Sequence, residues 1–593
     1  MTTNQIKEHD AGALAELTGT VATIGTSIGL ALTREWLILA ALIAFAAFVV
    51  FWIRFLSPRA MRRNRVKTLR WRAKCKLRPA SGYASTAELA FHLSRLAAVR
   101  HGKQARPVMR YWARLTSPAT DYSVRVGRAQ YGIRTYTRME DQVLTLAPPR
   151  VGKSGLLADR IVDHPGGVVT TSTRPDLYKA TVKDRAARGP VQVFNPQGIG
   201  DVPSTMRFNL LAPCADLVMA RRMATWMSGG AGGAGHGNLE WFEQKGEVAL
   251  AGLLFAGAIT GSTIADVFRW VQRDGHDLPL KAIAQAGTPE MLAVTRNMLE
   301  TNKTAGSVRE TIDLVLSWAA LPALAEAVTP RPGEPVLDVT DLATGNATLY
   351  LIGRGDENSP LTPLFRALTS YIHYEAGLIG TRQPAGKLDP PMYMALDEVT
   401  QVAPIDLPTM LADSAGYGIL IQPVAHSVSQ LEKRYGREGA ATVWSLCGTK
   451  ILMTGSTDPE TLRNVAMILD KTEGHDGRQV DIVPASFLRT LPDWHALVIS
   501  MNRDPVVVRF RPVWQRADRR WPTKYLARKT RLKDAWQPGT QAVDVQAVTR
   551  PTEEPVDELE TVRDHELPPV ADIDAGQAPP DWATSGSYDP ASR

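Results

Sequence analysis

A long apolar run near the start of the chain is its clearest hydrophobic pattern. Positions 36–53 hold 18 consecutive uncharged, mostly apolar residues, with Trp36 and Trp52 near the two ends. As a helix this run would be about 27 Å long, close to the hydrocarbon thickness of a membrane. Positions 54–78 then hold eleven lysines and arginines and no acidic residue. This pattern predicts a transmembrane helix at 36–56 that anchors the chain in the cytoplasmic (inner) membrane, with the bulk of the protein in the cytoplasm.

Two nearby segments each allow two interpretations. Residues 17–33 are uncharged but rich in Thr and Gly, and would form either a second membrane helix or a weakly amphipathic helix outside the membrane. The basic run at 54–78 either sets the topology and contacts anionic lipid, or contacts nucleic acid. We therefore assign 1–35 as an N-terminal segment and 57–140 as a basic juxtamembrane and linking region.

Short apolar segments with helical patterns between them predict an α/β domain in the body of the chain. The domain is assigned to residues 141–205 and 335–525, because strand patterns occur in both stretches. The predicted strands are 142–146, 168–171, 191–194, 347–352, 392–396, 419–421, 449–453, 496–501 and 505–510.

The stretch between these two parts has a different pattern. Apolar residues recur at three- and four-residue spacing from about 213 to 325, as a helix requires, and a glycine-rich loop at 228–237 interrupts them. We therefore predict an all-α domain, 206–334, inserted into the α/β domain.

Composition and charge separate the body of the chain from its end. The 593 residues exceed one simple domain, and the net charge of +8 conceals a tail at 541–593 with 12 acidic and 3 basic residues. The segment 537–593 is also rich in proline and aperiodic, which predicts a disordered acidic tail. The three cysteines are far apart, so they offer neither a disulfide framework nor a metal site, which fits a reducing compartment.

A phosphate-binding loop follows the first predicted strand of the α/β domain. The sequence APPRVGKSG at 147–155 lies between that strand and a helical pattern, the context that such a loop requires. Lys153 would reach the β and γ phosphates, and Ser154 would bind Mg²⁺. Ala147 replaces the first glycine of the motif, so the loop entrance must have an ordinary backbone conformation. The predicted nucleotide-binding residues are Pro149, Arg150, Val151, Gly152, Lys153, Ser154 and Gly155.

A second motif, YMALDE, ends the predicted strand 392–396. Asp397 would hold Mg²⁺ and Glu398 would position the attacking water, although an apolar strand that ends in a solvated acidic turn is also common. Together with Lys153 and Ser154, the pair predicts an ATP or GTP site.

The ordered set of motifs resembles a known family. With the N-terminal anchor, the blocks APPRVGKSG, VVTTSTRPDL, YMALDEV and GYGILIQPVAHSVSQLEKRYG are similar to the coupling ATPases of conjugative type IV secretion, in the actinobacterial style. The resemblance implies a RecA-like P-loop fold and a membrane-anchored homo-hexamer that uses ATP and Mg²⁺, with Lys153 and Glu398 as catalytic residues. It also implies partners: relaxase and relaxosome proteins, relaxase-bound single-stranded DNA and components of the secretion channel.

The sequence departs from the family's pattern at two accessory positions. His426 stands where the family commonly has a glutamine that senses the γ-phosphate; it is either that sensor or a structural histidine, with Gln422 as the alternative sensor. The arginine that some relatives carry before the same strand is absent. Either a different arginine completes a neighbouring subunit's site, with Arg434, Arg437 and Arg489 as candidates, or hydrolysis is slow.

Three functions are consistent with these patterns. The first is an ATPase that recruits a relaxase–DNA complex and pumps DNA into a type IV secretion channel. The second is a nucleotide-binding receptor and scaffold with weak hydrolysis. The third is a double-stranded DNA translocase, although the winged-helix module usual at the C-terminus of that class has no counterpart here.

Overall fold

The computed structural model describes most of the chain between residues 83 and 516. The candidate membrane helices 17–33 and 36–56 and the tail 537–593 lie outside the described residues, apart from three helical positions, 42, 45 and 46. No helix among the described residues has the length and apolar character needed to cross a bilayer. The described ranges are 83–229, 238–272, 277–286, 288–299, 303–354, 359–469, 471–473 and 479–516.

Eleven strands of the described chain form one mixed sheet, in the order β2-β1-β13-β12-β9-β3-β8-β7-β4-β6-β5, and β10 pairs with β11 in a separate ribbon. The seven strands from β9 to β5 are parallel, and the other four are antiparallel. The strands are β1 (Ser123–Arg128), β2 (Arg134–Arg138), β3 (Val143–Leu146), β4 (Val168–Ser172), β5 (Val191–Phe194), β6 (Thr348–Ile352), β7 (Met392–Leu396), β8 (Ile419–Ala425), β9 (Thr449–Met453), β10 (Lys471–Glu473), β11 (Gln479–Asp481), β12 (His495–Ser500) and β13 (Val506–Arg509).

The central strands of the sheet are buried on both faces. Every residue of β4, β6, β7 and β9 is buried, as expected for parallel strands inside an α/β domain. The α/β fold predicted from the sequence is therefore confirmed, with a large mixed sheet at its centre.

The sheet also extends beyond the segments that the sequence assigned to it. β1 and β2 belong to residues 57–140, interpreted above as a linking region, and they continue the sheet through β13. Their sequences, SVRVGR and RTYTR, carry arginines and a glycine where a typical strand would have apolar residues, so periodicity does not reveal them. The linking region thus contributes two strands of the main sheet.

The helices pack on the sheet and fill the interval between β5 and β6. A short turn (Thr86–Glu88) continues as a π-helical turn (Leu89–Leu93) before the first long helix. The helices are α1 (Arg95–Ala105), α2 (Tyr111–Thr116), α3 (Lys153–Asp163), α4 (Asp176–Ala186), α5 (Leu217–Ser228), α6 (Asn238–Ile259), α7 (Ile264–Gln272), α8 (Asp277–Gln285), α9 (Pro289–Leu299), α10 (Lys303–Leu316), α11 (Pro322–Ala327), α12 (Val339–Thr344), α13 (Leu361–Thr381), α14 (Leu407–Tyr417), α15 (Val428–Leu446), α16 (Pro459–Leu469) and α17 (Ala485–Thr490).

Helix α6 lies at the centre of a bundle, and α5 and α7 to α10 pack around it. In its C-terminal half α6 is apolar on all sides, and Leu250, Leu253 and Leu254 are fully buried, as expected for a helix at the centre of a bundle. Where this region leaves and rejoins the sheet, the backbone N–H of Phe208 donates to the carbonyl of Ala327 at 3.0 Å. The hydrophobic core continues from these helices into the sheet.

Candidate nucleotide site

The loop between β3 and α3 has the geometry of a phosphate-binding loop. The last strand residues are buried, and α3 begins at Lys153. Positive φ angles occur at Arg150 (65°) and Gly152 (96°), so the loop turns without a left-handed residue at Ala147. The backbone N–H of Ala147 instead donates to the carbonyl of Ala425 at 3.0 Å, which extends the pairing of β3 with β8. The alanine is therefore compatible with the fold because the turn is made further along the loop.

Two tryptophans from the C-terminal part of the sheet pack against this loop. A Cβ atom at Gly152 would lie 2.4 Å from the ring of Trp494, and one at Gly155 would lie 2.9 Å from the ring of Trp514. The two indole rings meet edge to face with centroids 6.0 Å apart. Both glycines are thus required by close approach of an aromatic ring, and Gly152 also by its positive φ angle.

The order of the strands brings the two sequence motifs together. β8 lies between β3, which precedes the loop, and β7, which precedes Asp397 and Glu398. All three strands are parallel, so the loop, the two acidic residues and His426 lie at the same edge of the sheet. Ligands of open α/β sheets bind at this carboxyl edge.

Lys153 pairs with both acidic residues of the second motif. Its Nζ lies 2.6 Å from Oε1 of Glu398 and 3.5 Å from Oδ1 of Asp397. Thr171 Oγ1 donates to the backbone carbonyl of Asp397 at 3.0 Å and fixes the end of β7. Glu398 has a φ angle of 51°, a left-handed conformation that costs energy for a residue with a side chain and is concentrated at functional sites.

The two carboxyl groups have pKa values shifted in opposite directions. Burial raises the pKa of Asp397 above its ordinary value, although the charge of Lys153 opposes the shift. Burial also tends to raise the pKa of Glu398, but the hydrogen bonds from Lys153 and Thr173 and the charge of Lys153 outweigh it, so this pKa lies below its ordinary value. Glu398 is therefore ionised at neutral pH.

The surroundings of Asp397 fit a divalent cation. Its Oδ1 atom is buried and accepts no hydrogen bond from the described residues, and the Lys153 ammonium group is 3.5 Å away. A buried carboxylate oxygen without a hydrogen-bond donor is costly unless a cation reaches it. Ser154 lines the same cavity, so a hydroxyl and a carboxylate, the oxygen ligands that Mg²⁺ prefers, are both present.

His426 faces the same cavity from the end of β8. Its Nδ1 atom is 3.1 Å from the carbonyl oxygen of Ala147, and its backbone N–H donates to Oε1 of Gln430 at 2.8 Å. A carbonyl is only an acceptor, so Nδ1 carries the proton of the neutral ring and Nε2 is then an acceptor. Only the protonated ring offers a second donor at Nε2. Gln422, the alternative sensor, is fully buried and bonded to Arg160, and it does not line the cavity.

The three arginine candidates lie away from this cavity. Arg437 and Arg489 are exposed, whereas Arg434 is half-buried. Burial and then the charge of Arg434 lower the pKa of Arg366 to about 10. None of the three candidates lines the cavity of a single chain, so a role in a neighbouring subunit's site stays a prediction.

The cavity at the carboxyl edge has a volume of about 1250 Å³ and brings together His426, the two acidic residues of the second motif and most of the predicted loop residues, but not Gln422 or the three arginine candidates. Among the predicted loop residues, Val151 alone does not line the cavity, because it packs against the hydrophobic core. The motif VVTTSTRPDL contains four lining residues that its strand-like pattern did not single out: Ser172, Thr173, Arg174 and Asp176. The other lining residues missed from the sequence, which carried no signal for them, are Ala180, Gln197, Ile199, Arg354, Gln401, Trp494 and Trp514.

Known proteins resemble the chain in one sequence segment and in the fold. Residues 391–480 match the family model "TraM recognition site of TraD and TraG". A comparison with curated protein sequences gives no significant match. Among solved structures, the unbound monoclinic form of the bacterial conjugative coupling protein TrwBdeltaN70 has 18% identity and a TM-score of 0.51, and the alignment covers 70% of this chain and 93% of that one.

Two further TrwB structures give the same result. TrwB in complex with the non-hydrolysable ATP analogue ADPNP has 18% identity, a TM-score of 0.51 and coverage of 69% and 92%. The trigonal form in complex with sulphate has 19% identity, a TM-score of 0.50 and the same coverage. At these identities the likeness shows the fold. Together with the family match at 391–480, it confirms the predicted resemblance to conjugative coupling proteins.

Proposed function

We propose that this chain is a Mg²⁺-dependent ATPase that couples a relaxase–DNA complex to a type IV secretion channel and pumps the DNA. The observation that carries the proposal is the convergence of Lys153, Asp397 and Glu398 at one cavity edge. Lys153 and Glu398 are 245 residues apart in sequence. They lie close together because β3 and β7, the strands that precede them, are both neighbours of β8 in the sheet. This set of groups is what phosphoryl transfer from a nucleotide to water requires.

Each residue has a distinct role in this proposal. Lys153 and the N–H groups at the start of α3 bind phosphate oxygens, and Ser154 and Asp397 hold Mg²⁺. Bound Mg²⁺ neutralises charge on the phosphates. Glu398 orients the attacking water and accepts its proton. Phosphate oxygens would compete with Glu398 for Lys153, so nucleotide binding frees the glutamate for this task.

The role in DNA transfer rests on the comparisons and on charge. TrwB, whose fold the chain shares, is described as a conjugative coupling protein, and its complex with ADPNP supports nucleotide binding at the equivalent fold. The TraM-recognition model at 391–480 supports a protein partner from the DNA-processing complex. The basic body of the chain supports contact with DNA phosphates.

We further propose that the active form is a homo-hexamer anchored in the cytoplasmic membrane by residues 36–56. The hydropathy and the following basic run support the anchor. The family resemblance carried by the sequence motifs supports the hexamer.

A receptor with weak hydrolysis is the second candidate. The specific observation in its favour is the Lys153–Glu398 pair at 2.6 Å, which holds both catalytic residues away from their tasks. In this function, nucleotide would switch partner binding without rapid turnover.

The deciding experiment measures ATP hydrolysis by the purified full-length chain with and without single- or double-stranded DNA. We expect DNA to stimulate hydrolysis, and Lys153→Ala or Glu398→Gln to abolish both hydrolysis and conjugative transfer. Lys183→Ala, an exposed lysine of α4, is the matched control and should keep wild-type rates. Normal transfer by Glu398→Gln would reject the motor and favour the receptor, whereas stimulation by double-stranded DNA alone would favour the double-strand translocase.

A further inference from the structure

A second cavity, of about 310 Å³, lies where β1, β2 and β13 meet, and arginines dominate its lining. Asp159 is the one acidic residue among its lining residues. We call this cavity the arginine pocket. Its six arginines are Arg125, Arg128, Arg134, Arg509, Arg511 and Arg516.

Three of these arginines stand side by side across three adjacent strands. Arg128 of β1 is the register partner of Arg134 in β2 and of Arg509 in β13. Like charges directly opposite each other destabilise a sheet, so this row costs stability unless an anion offsets it. All three arginines are exposed, so a ligand can reach the row.

A β-bulge directs the arginines of β1 to the same pocket. The register of β1 with β2 shifts between Arg125 and Gly127, so Val126 is an extra residue opposite β2. Side chains alternate along a regular strand, and residues 125 and 128 would then face opposite sides. The bulge breaks the alternation, and both residues line the pocket.

The structure supplies counter-charges for only two of the six arginines. Arg125 lies 2.7 Å from both Asp159 and Asp163, and Arg516 lies 3.1 Å and 2.8 Å from the same two carboxylates. The two aspartates therefore neutralise the charges of these two arginines. No carboxylate among the described residues forms an ion pair with the remaining four: Arg128, Arg134, Arg509 and Arg511. Burial and then the charges of Arg134, Arg511 and Arg125 lower the pKa of Arg128, which reflects the crowding of positive charge.

We propose that the arginine pocket is a second anion site that binds a phosphate group, separate from the nucleotide site. Guanidinium groups present paired N–H donors that match phosphate oxygens, and several of them in a concave site favour a multiply charged phosphate. The phosphate group belongs either to a small soluble anion or to a phospholipid headgroup. Nothing in this inference depends on ATP hydrolysis, so it stands or falls separately from the proposed function.

Protection of the sheet edge is the competing explanation for these charges. β2 is the last strand of the sheet on its side, and charged side chains on an edge strand prevent pairing with another chain. That explanation predicts aggregation when the arginines are removed, but it predicts no phosphate binding. The two explanations therefore differ in a measurable way.

The test uses the full-length chain carrying Lys153→Ala, which weakens phosphate binding at the nucleotide site. One arm titrates inorganic pyrophosphate by calorimetry, and the other measures co-flotation with phosphatidylcholine vesicles that contain or lack phosphatidic acid. Removing one charge-assisted pair should weaken binding about tenfold, so we expect Arg134→Ala with Arg509→Ala to weaken it about a hundredfold. Arg382→Ala, an exposed arginine at the end of α13, is the control and should change neither arm.

Each outcome decides the proposal. Loss of pyrophosphate binding in the double variant supports a soluble anion, and loss confined to the phosphatidic acid vesicles supports a headgroup. Arg134→Lys with Arg509→Lys should restore only part of the affinity, because lysine lacks the paired donors. Unchanged binding in both arms refutes the site, as does aggregation of the double variant without a change in binding. An effect on DNA oligonucleotides alone would also overturn it and identify the pocket as part of a nucleic-acid surface.

Discussion

Replacing Glu398 by glutamine should tighten ATP binding while it stops hydrolysis. In the structure Glu398 holds the Lys153 ammonium group at 2.6 Å, so phosphate oxygens must displace a carboxylate to reach the lysine. Glutamine keeps the size and one hydrogen-bond acceptor but removes the charge. The lysine is then easier to transfer to the nucleotide, and the water that Glu398 would activate loses its base.

The size of the effect follows from the geometry of the pair. At 2.6 Å and an effective dielectric constant of about 20, the Coulomb attraction is about 6 kcal/mol. Desolvation and side-chain ordering cancel most of this energy, since the side chains of Lys153 and Glu398 keep only 13% and 19% of their exposure. Asp397, at 3.5 Å, also continues to attract the lysine in the variant. We therefore expect a net gain of about 1 kcal/mol, or roughly fivefold tighter binding.

The assay is a titration of the full-length chain with ATP and Mg²⁺ by calorimetry, alongside steady-state hydrolysis. Glu438→Gln, an exposed glutamate of α15, controls for the change in net charge and should leave the affinity unaltered. Asp397→Asn should instead weaken Mg²⁺-dependent binding, because it removes the proposed metal ligand. Equal or weaker ATP binding by Glu398→Gln would refute the view that nucleotide displaces this ion pair.

Three further predictions concern single residues around the site and in the core. His426→Ala should slow hydrolysis or uncouple it from DNA with little loss of ATP affinity. His426→Gln should stay active, with a flatter pH–rate profile. Normal DNA stimulation of hydrolysis in His426→Ala would show that the histidine is structural. Trp514 lines the cavity and is 51% exposed, so nucleotide should quench its fluorescence, and Trp514→Ala should lose that signal and bind about fivefold more weakly. Burial lowers the pKa of His164 to about 3. Below pH 6.5 this histidine is therefore protonated in the unfolded chain but stays neutral in the folded chain. The free energy of unfolding should therefore fall by up to about 1.4 kcal/mol per pH unit from pH 6.5 to 4.5, and His164→Gln should show a shallower fall in urea unfolding; equal slopes would show that another group titrates.

The parts of the fold that the sequence predicts are those with a strong local signal. The five apolar residues of β7 are fully buried, and their run into Asp397 and Glu398 could be recognised without knowledge of any neighbour. The phosphate-binding loop was equally recognisable, because strand, loop and helix follow one another in the chain. The two motifs could be paired in advance because both follow parallel strands, whose carboxyl ends meet at one edge of a sheet.

The parts that could not be predicted depend on long-range pairing. Trp494 and Trp514 come from the C-terminal part of the sheet, and nothing in their local sequence shows that they pack on Gly152 and Gly155. The row formed by Arg134, Arg128 and Arg509 likewise exists only through the register of three strands. The periodicity of apolar residues along the sequence indicates which helix or strand a residue belongs to. These features instead arise from contacts between elements that are far apart in sequence.

His426 shows how the structure changes the chemistry of a residue whose position the sequence suggested. A neutral imidazole has one N–H donor, which a γ-phosphate sensor in place of the family's glutamine would have to offer to the phosphate. In the structure the carbonyl of Ala147 takes it at 3.1 Å, so the neutral ring would present an acceptor to the phosphate. Two acceptors repel, so the neutral ring cannot keep its bond to Ala147 and donate to a phosphate oxygen at the same time. The loop residue that departs from the motif and the candidate sensor that departs from the family are thus bonded to each other, and phosphate sensing by His426 would require this bond to be exchanged for one to the phosphate.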